Sequence, residues 1–95
     1  MKNYKLEKLQ RGESFTTSAR GNSMQPLIAS GQKHKLSPAT WEEVYVNDIV
    51  YCRVGGKFYT HLVKAKSDKG VLISNNKGHV NGWTTSVYGK VVEII

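Results

Sequence analysis

Ile49-Val50-Tyr51-Cys52-Arg53-Val54-Gly55-Gly56-Lys57-Phe58-Tyr59-Thr60-His61-Leu62-Val63-Lys64 sets two runs of β-forming residues on either side of a glycine pair. β-Branched and aromatic side chains suit a pleated, half-buried strand. A two-residue type I′ turn needs positive φ at both positions, which glycine adopts without strain. The stretch therefore predicts a β-hairpin over 49–64. With Gly55-Gly56 as the turn, Val54 pairs with Lys57 and Val50 with His61. One face then carries Val50, Cys52, Val54, Tyr59, His61 and Val63, and the other Ile49, Tyr51, Arg53, Phe58, Thr60 and Leu62. Both faces are largely apolar, so the hairpin is expected inside a packed sheet system.

Toward the C-terminus, Ser67-Asp68-Lys69-Gly70 reads as a turn and Val71-Leu72-Ile73-Ser74 as a strand. Asn75 to Gly82 reads as a polar loop. Trp83 and the threonines after it lead to a final strand over 87–95. Toward the N-terminus, Trp41 to Val46 reads as an edge segment and Lys33 to Leu36 as a short strand before Pro38. Phe15 to Ala19 reads as a strand ending in an Arg20-Gly21-Asn22 turn. Met24 to Ala29 suits one helical turn with Ser23 as N-cap. Residues 1–13 read as a basic arm or one frayed helix, with Tyr4, Leu6 and Leu9 on a shared face but too few residues to hold alone. The expected architecture is mainly β: small antiparallel, twisted sheets or a partial barrel over residues 14–95, with one short helical turn after Ser23.

Ninety-five residues make one domain with a thin core. The apolar share, 39%, is that of a globular chain. No apolar run is long enough to span a bilayer, and nothing resembles a secretory leader. The single cysteine, Cys52, excludes an internal disulfide and is expected in the core, which points to a reducing, cytoplasmic setting. The net charge of +7 admits an acidic partner or nucleic acid, with Lys2, Lys5, Lys8 and Arg11 as the candidate contacts. The basic residues are scattered lysines for the most part, and no helix-turn-helix pattern supports major-groove reading. His34 and His79 lack ligand spacing and are expected at the surface. No metal site or cofactor is expected.

Ser23 lies between a permissive Gly21 and the pair Met24 and Pro26. On such a turn a serine presents its hydroxyl outward, with backbone N–H groups nearby to hold an oxyanion. The segment Gly21-Asn22-Ser23-Met24-Gln25-Pro26 resembles the Gly-x-Ser-Met-x-Pro nucleophile motif of the LexA and signal-peptidase serine peptidases. Asn47-Asp48-Ile49-Val50-Tyr51 resembles their Gly-Asp strand start, Tyr59-Thr60-His61-Leu62-Val63 their general-base strand, and Tyr88-Gly89-Lys90-Val91-Val92 their closing strand. The likeness covers roughly residues 15–95 and is nearest to small phage and prophage members.

The resemblance implies Ser23 as nucleophile and His61 as general base, where LexA-type enzymes carry lysine and some signal peptidases histidine. Gln32 and Asn47 depart from the two Gly-Asp pairs. The loop before the final strand, where histidine-type members carry an acid, holds only asparagines. Asp48 and Asn81 are the candidates to orient His61, and Met24 is a candidate at the oxyanion. Met24, Pro26, Asn75, Asn76 and Trp83 are candidate substrate contacts.

Two functions are compatible with these residues. One is a Ser23–His61 peptidase acting on an extended peptide, with no membrane anchor and no self-cleavage site in residues 1–14. The other is a catalytically silent phage-type module that binds a host protein or nucleic acid through its basic surface.

Overall fold

A computed structural model describes residues 3–21 and 24–95. The elements are α1 (Tyr4–Gln10), β1 (Phe15–Ser18), β2 (Lys33–Pro38), β3 (Ile49–Val54), β4 (Lys57–Ser67), β5 (Gly70–Ser74), β6 (Val80–Thr84) and β7 (Val87–Ile94). All strands pair antiparallel in one sheet of order β1-β2-β7-β3-β4-β5-β6. The sheet rolls without closing. Its far end folds back on β3, where the Arg53 amide donates to the Ser86 carbonyl at 2.9 Å and the Thr84 hydroxyl donates to the Arg53 carbonyl at 2.7 Å.

The β3–β4 hairpin has the register the glycine pair dictates, with Val54 opposite Lys57 and Val50 opposite His61. Gly55 and Gly56 have φ +58 and +84, the left-handed values a type I′ turn demands. Both faces are covered. Val50, Cys52 and Val63 pack with Val44, Val71, Ile73 and Val87 inside the roll. On the opposite face Tyr51 and Phe58 pack with Leu9 and Leu36, while Ile49 and Leu62 pack with Met24 and Ile28. Cys52 is fully buried among apolar neighbours, and burial pushes its thiol up to about 12. It is an inert core group.

Four local expectations need correction. Trp41 to Val46 is not an edge segment: residues 41–43 and 46–47 are turns. Local side-chain bonds win over the ladder there. The Glu43 carboxylate accepts the Thr40 amide at 2.9 Å, and the Asp48 carboxylate accepts the Tyr45 amide at 2.9 Å. Second, Asn75 to Gly82 is not one loop. Only 75–79 is, and β6 begins at Val80. Third, the helix offered as one of the two readings of residues 1–13 is there but not frayed: residues 4–10 form it, laid on the sheet. The Asn3 side chain caps it by accepting the Leu6 amide at 3.0 Å, and buried Leu9 anchors it.

His34 is the fourth. It is 0% exposed, because β2 alternates and turns His34 and Leu36 inward while Lys33 and Lys35 face out. Its Nδ1 lies 3.2 Å from the Gln32 carbonyl and its Nε2 has no partner among the described residues. Burial holds its pKa below the usual 6.5, the Gln32 carbonyl opposing and Lys5 adding to the effect. An unfolded chain thus binds a proton that the folded one refuses. Stability is full above about pH 6.5 and falls as the pH drops below it. His34→Leu is expected to stay within about 1 kcal/mol of the parent at pH 7.5. Melting curves at pH 7.5 and pH 5 should show a smaller acid-side drop in Tm for the variant.

Gly89 allows α1 to sit down on the sheet. A Cβ there would lie 2.8 Å from Leu9 Cδ2 and 2.8 Å from the Ser37 carbonyl oxygen. The leucine end can shift, but the β2 backbone cannot without breaking the ladder. Gly89→Ala is expected to cost about 1–3 kcal/mol, read as an earlier urea midpoint with an unchanged slope.

Candidate active site

His61 sits on β4, directly opposite Val50 on β3, so the hairpin fixes its backbone. The ring is 8% exposed and stacks on Tyr59 with centroids 4.8 Å apart. Its Nδ1 lies 2.7 Å from Asn81 Oδ1. An amide oxygen only accepts, so Nδ1 carries the proton and, in the neutral ring, Nε2 carries the lone pair. Burial holds the His61 pKa below 6.5. The Asn81 bond opposes this, and nearby His79 adds to it. The imidazole is therefore a neutral base at physiological pH.

Asn81 reaches the ring through a β-bulge. Ile73 pairs with Gly82 and Ser74 with Val80, leaving Asn81 as the extra residue between them. A bulge re-aims one side chain without ending the strand. Gly82 absorbs the distortion at φ +135. Asn81 was one of two candidates to orient His61, and it is the one the fold brings there. Asp48, the other, spends its carboxylate on the Tyr45 amide.

The segment after Ser23 forms a single turn in which the Ile28 amide donates to the Met24 carbonyl at 3.0 Å, in line with the expected helical turn. Ser23 itself, and with it the N-cap expectation, lies outside the described residues, as does Lys2. The residues bracketing it are placed. Gly21 and Met24 line a cleft of about 480 Å³ together with His61, Tyr59, Thr60 and Phe58 on the sheet side. Met24 is 5% exposed and packs against Ile28 and Ile49, so its side chain is an anchor for the turn. Pro26 is exposed.

The 75–79 loop buttresses this turn. Asn76 Nδ2 donates to the Gln25 carbonyl at 2.9 Å. Asn75 Oδ1 accepts the Lys77 and His79 amides at 2.8 and 2.9 Å, closing the loop on itself. Of the two asparagines read as substrate contacts, Asn75 thus shapes its own turn and Asn76 ties two loops. Trp83 is 54% exposed on edge strand β6, available as a contact, whereas Trp41 packs on the core. His79 is exposed, as expected.

The three described candidate basic residues each have a contact within the chain. Lys5 Nζ donates to the Ser18 carbonyl at 3.1 Å, Lys8 Nζ lies 5.0 Å from the Phe15 ring centre, and Arg11 pairs with Glu13 at 2.7 Å. No helix among the described residues is long and apolar enough to cross a membrane.

A rolled β-sheet that presents a neutral, asparagine-bonded histidine at a cleft also lined by Gly21 and Met24 is consistent with the serine peptidase-like β domains of the LexA and signal-peptidase type. The family model described as Peptidase S24-like matches residues 2–92, and the chain belongs to that family. The match includes α1, in keeping with the docking of that helix on the sheet. No curated protein matches the chain.

Proposed function

We propose that the chain is a peptidase in which Ser23 is the nucleophile and His61, standing where LexA-type members carry lysine, is the general base. Ser23 Oγ attacks the carbonyl carbon of a peptide bond while His61 Nε2 takes the hydroxyl proton. Backbone N–H groups around Met24 hold the oxyanion. Nε2 then returns the proton to the leaving amine, giving an acyl-enzyme, and activates the water that releases the second product. Asn81 is a positioning residue that fixes the tautomer and the ring plane. The observation that carries this reading is the 2.7 Å Nδ1–Oδ1 contact that Asn81 makes with His61, a residue of the cleft that Gly21 and Met24, the described neighbours of Ser23, also line.

The substrate is an extended peptide. In the β3–β4 ladder the backbone groups of Lys57, Tyr59 and His61 face β3, so those of Phe58 and Thr60 face the other way. The β5 partner strand begins only at Leu62. An extended peptide fits alongside 58–60 as an added strand, its reactive carbonyl beside His61.

A fluorophosphonate probe tests the reading: a single adduct mapped to Ser23 in folded protein supports it, and an unlabelled chain or a denaturation-dependent adduct contradicts it. Asn81→Ala is expected to lower kcat about 10–100-fold with a nearly unchanged KM, because the imidazole loses its fixed tautomer but the peptide groove is untouched. Asn81→Asp is expected to restore most of the loss and to raise the pH at which activity falls off.

A further inference from the structure

The cleft that holds His61 has an uneven charge. Among the described residues its lining includes two cations, Lys5 from α1 and Arg20 from the turn after β1, and no carboxylate. Among the described residues the one ion pair is Arg11 with Glu13, away from this lining. Arg20 is exposed at the rim. Lys5 is half-buried, its ammonium bonded to the Ser18 carbonyl at 3.1 Å and 5.7 Å from the Tyr51 ring centre. Burial holds its pKa below the usual value. A partly dehydrated ammonium whose described contacts, a carbonyl and an aromatic ring, are both neutral leaves donors for an anion, and a charge-assisted bond there is stronger than at an open surface. Beside Thr60 and His61, the lining carries the apolar bodies of Met24, Ile28, Tyr51, Phe58 and Tyr59, which suit a side-chain stem rather than a bare ion.

We propose that this cleft selects a carboxylate-bearing residue of the extended peptide, with Lys5 as its specificity determinant and Arg20 as a rim contact. Substrate class deepens the peptidase reading and rests on it for the cleavage step, though not for binding. α1 is then more than a lid on Leu36 and Tyr51. It carries the residue that sorts peptides, and Gly89, by letting the helix sit close, sets where Lys5 stands.

The same chemistry is offered by an internal Glu or Asp and by a free C-terminus, and three labelled peptides separate them. They are an alanine-rich hexapeptide with one internal Glu and an amidated end, the same peptide with Gln, and the Gln peptide with a free C-terminal carboxylate. Fluorescence anisotropy with Ser23→Ala protein is expected to give about 10-fold tighter binding for one or both carboxylate peptides than for the amidated Gln peptide. Lys5→Gln should bring the carboxylate peptides and the amidated Gln peptide to the same affinity, the ratio between them being the readout. Lys5→Arg should keep the difference. Equal affinity for all three peptides, or a carboxylate preference that survives Lys5→Gln, overturns the proposal. So does a short DNA duplex that displaces the Glu peptide at the same concentration as unlabelled Glu peptide, since the cleft would then be reading phosphate. A chain that labels at Ser23 yet shows no carboxylate preference refutes only this inference. One that prefers the Glu peptide but never labels refutes only the peptidase.

Discussion

Ser23→Ala is expected to abolish peptide hydrolysis, by roughly 10^4-fold or more in kcat, while leaving the melting temperature within a degree or two of the parent. The size follows from the chemistry. Without Oγ no acyl-enzyme forms, and what remains is water attack in a cleft built for a different nucleophile. The preserved stability follows from packing. The neighbouring core anchors are Met24 and Ile28, which the substitution leaves in place, and the Met24–Ile28 turn bond is between backbone groups. Hydrolysis of a quenched extended peptide, with thermal melts alongside, checks both halves. A variant that keeps its activity would move the nucleophile elsewhere.

His61→Gln is expected to lose about 10^3-fold or more in kcat. Glutamine keeps a polar side chain beside Asn81 but has no nitrogen lone pair that takes a proton. The pH profile separates this loss from simple misfolding. In the parent, kcat/KM should rise with pH through a single limb lying below 6.5, because burial, against the pull of the Asn81 bond, keeps the imidazole neutral into mildly acidic solution. A lysine base at this position would have to be desolvated to act near neutrality, and its limb would lie well above that of histidine. A parental limb near pH 8 or higher would exclude His61 as the base.

The part of the fold that the sequence made legible is the part governed by local rules. A glycine pair between two β-rich runs has one good solution, and that solution fixed the face on which His61 lies and the partner, Val50, that it meets. Cys52, on the same face, is in the core for the same reason. The side chain that meets the His61 ring was legible only as a choice between Asp48 and Asn81. What decides it is a bulge in β6, and a bulge interrupts the alternation by which strands are recognised. β6 was hidden with it, since Val80-Asn81-Gly82-Trp83-Thr84 alternates poorly and opens next to a run of turn formers. His34, expected at the surface, is buried, and the sequence carries the signal for it: lysines at 33 and 35 on a strand force residue 34 to the other face. The docking of α1 depends on Gly89, eighty residues away from Leu9, and no local pattern reports a contact of that kind.

The departures from the family pattern take on a physical sense in this frame. An asparagine in place of an acid leaves the base uncharged on its Nδ1 side, so the imidazolium formed during attack is less stabilised than it would be beside a carboxylate. The imidazole is also easier to keep neutral, which suits a base already pressed below its ordinary pKa by burial. The expected gain of Asn81→Asp in proton-accepting power, with an upward shift of the acid limb, follows from the same balance.

The central claim is that the Ser23 hydroxyl and the His61 imidazole meet in the cleft between the post-β1 turn and β4. A crystal structure of the fluorophosphonate adduct measures this directly. A covalent bond from Ser23 Oγ to phosphorus is expected, with His61 Nε2 about 3–4 Å from that oxygen and Asn81 still bonded to Nδ1. A Ser23 oxygen more than about 6 Å from the ring, or an adduct on another residue, would contradict it.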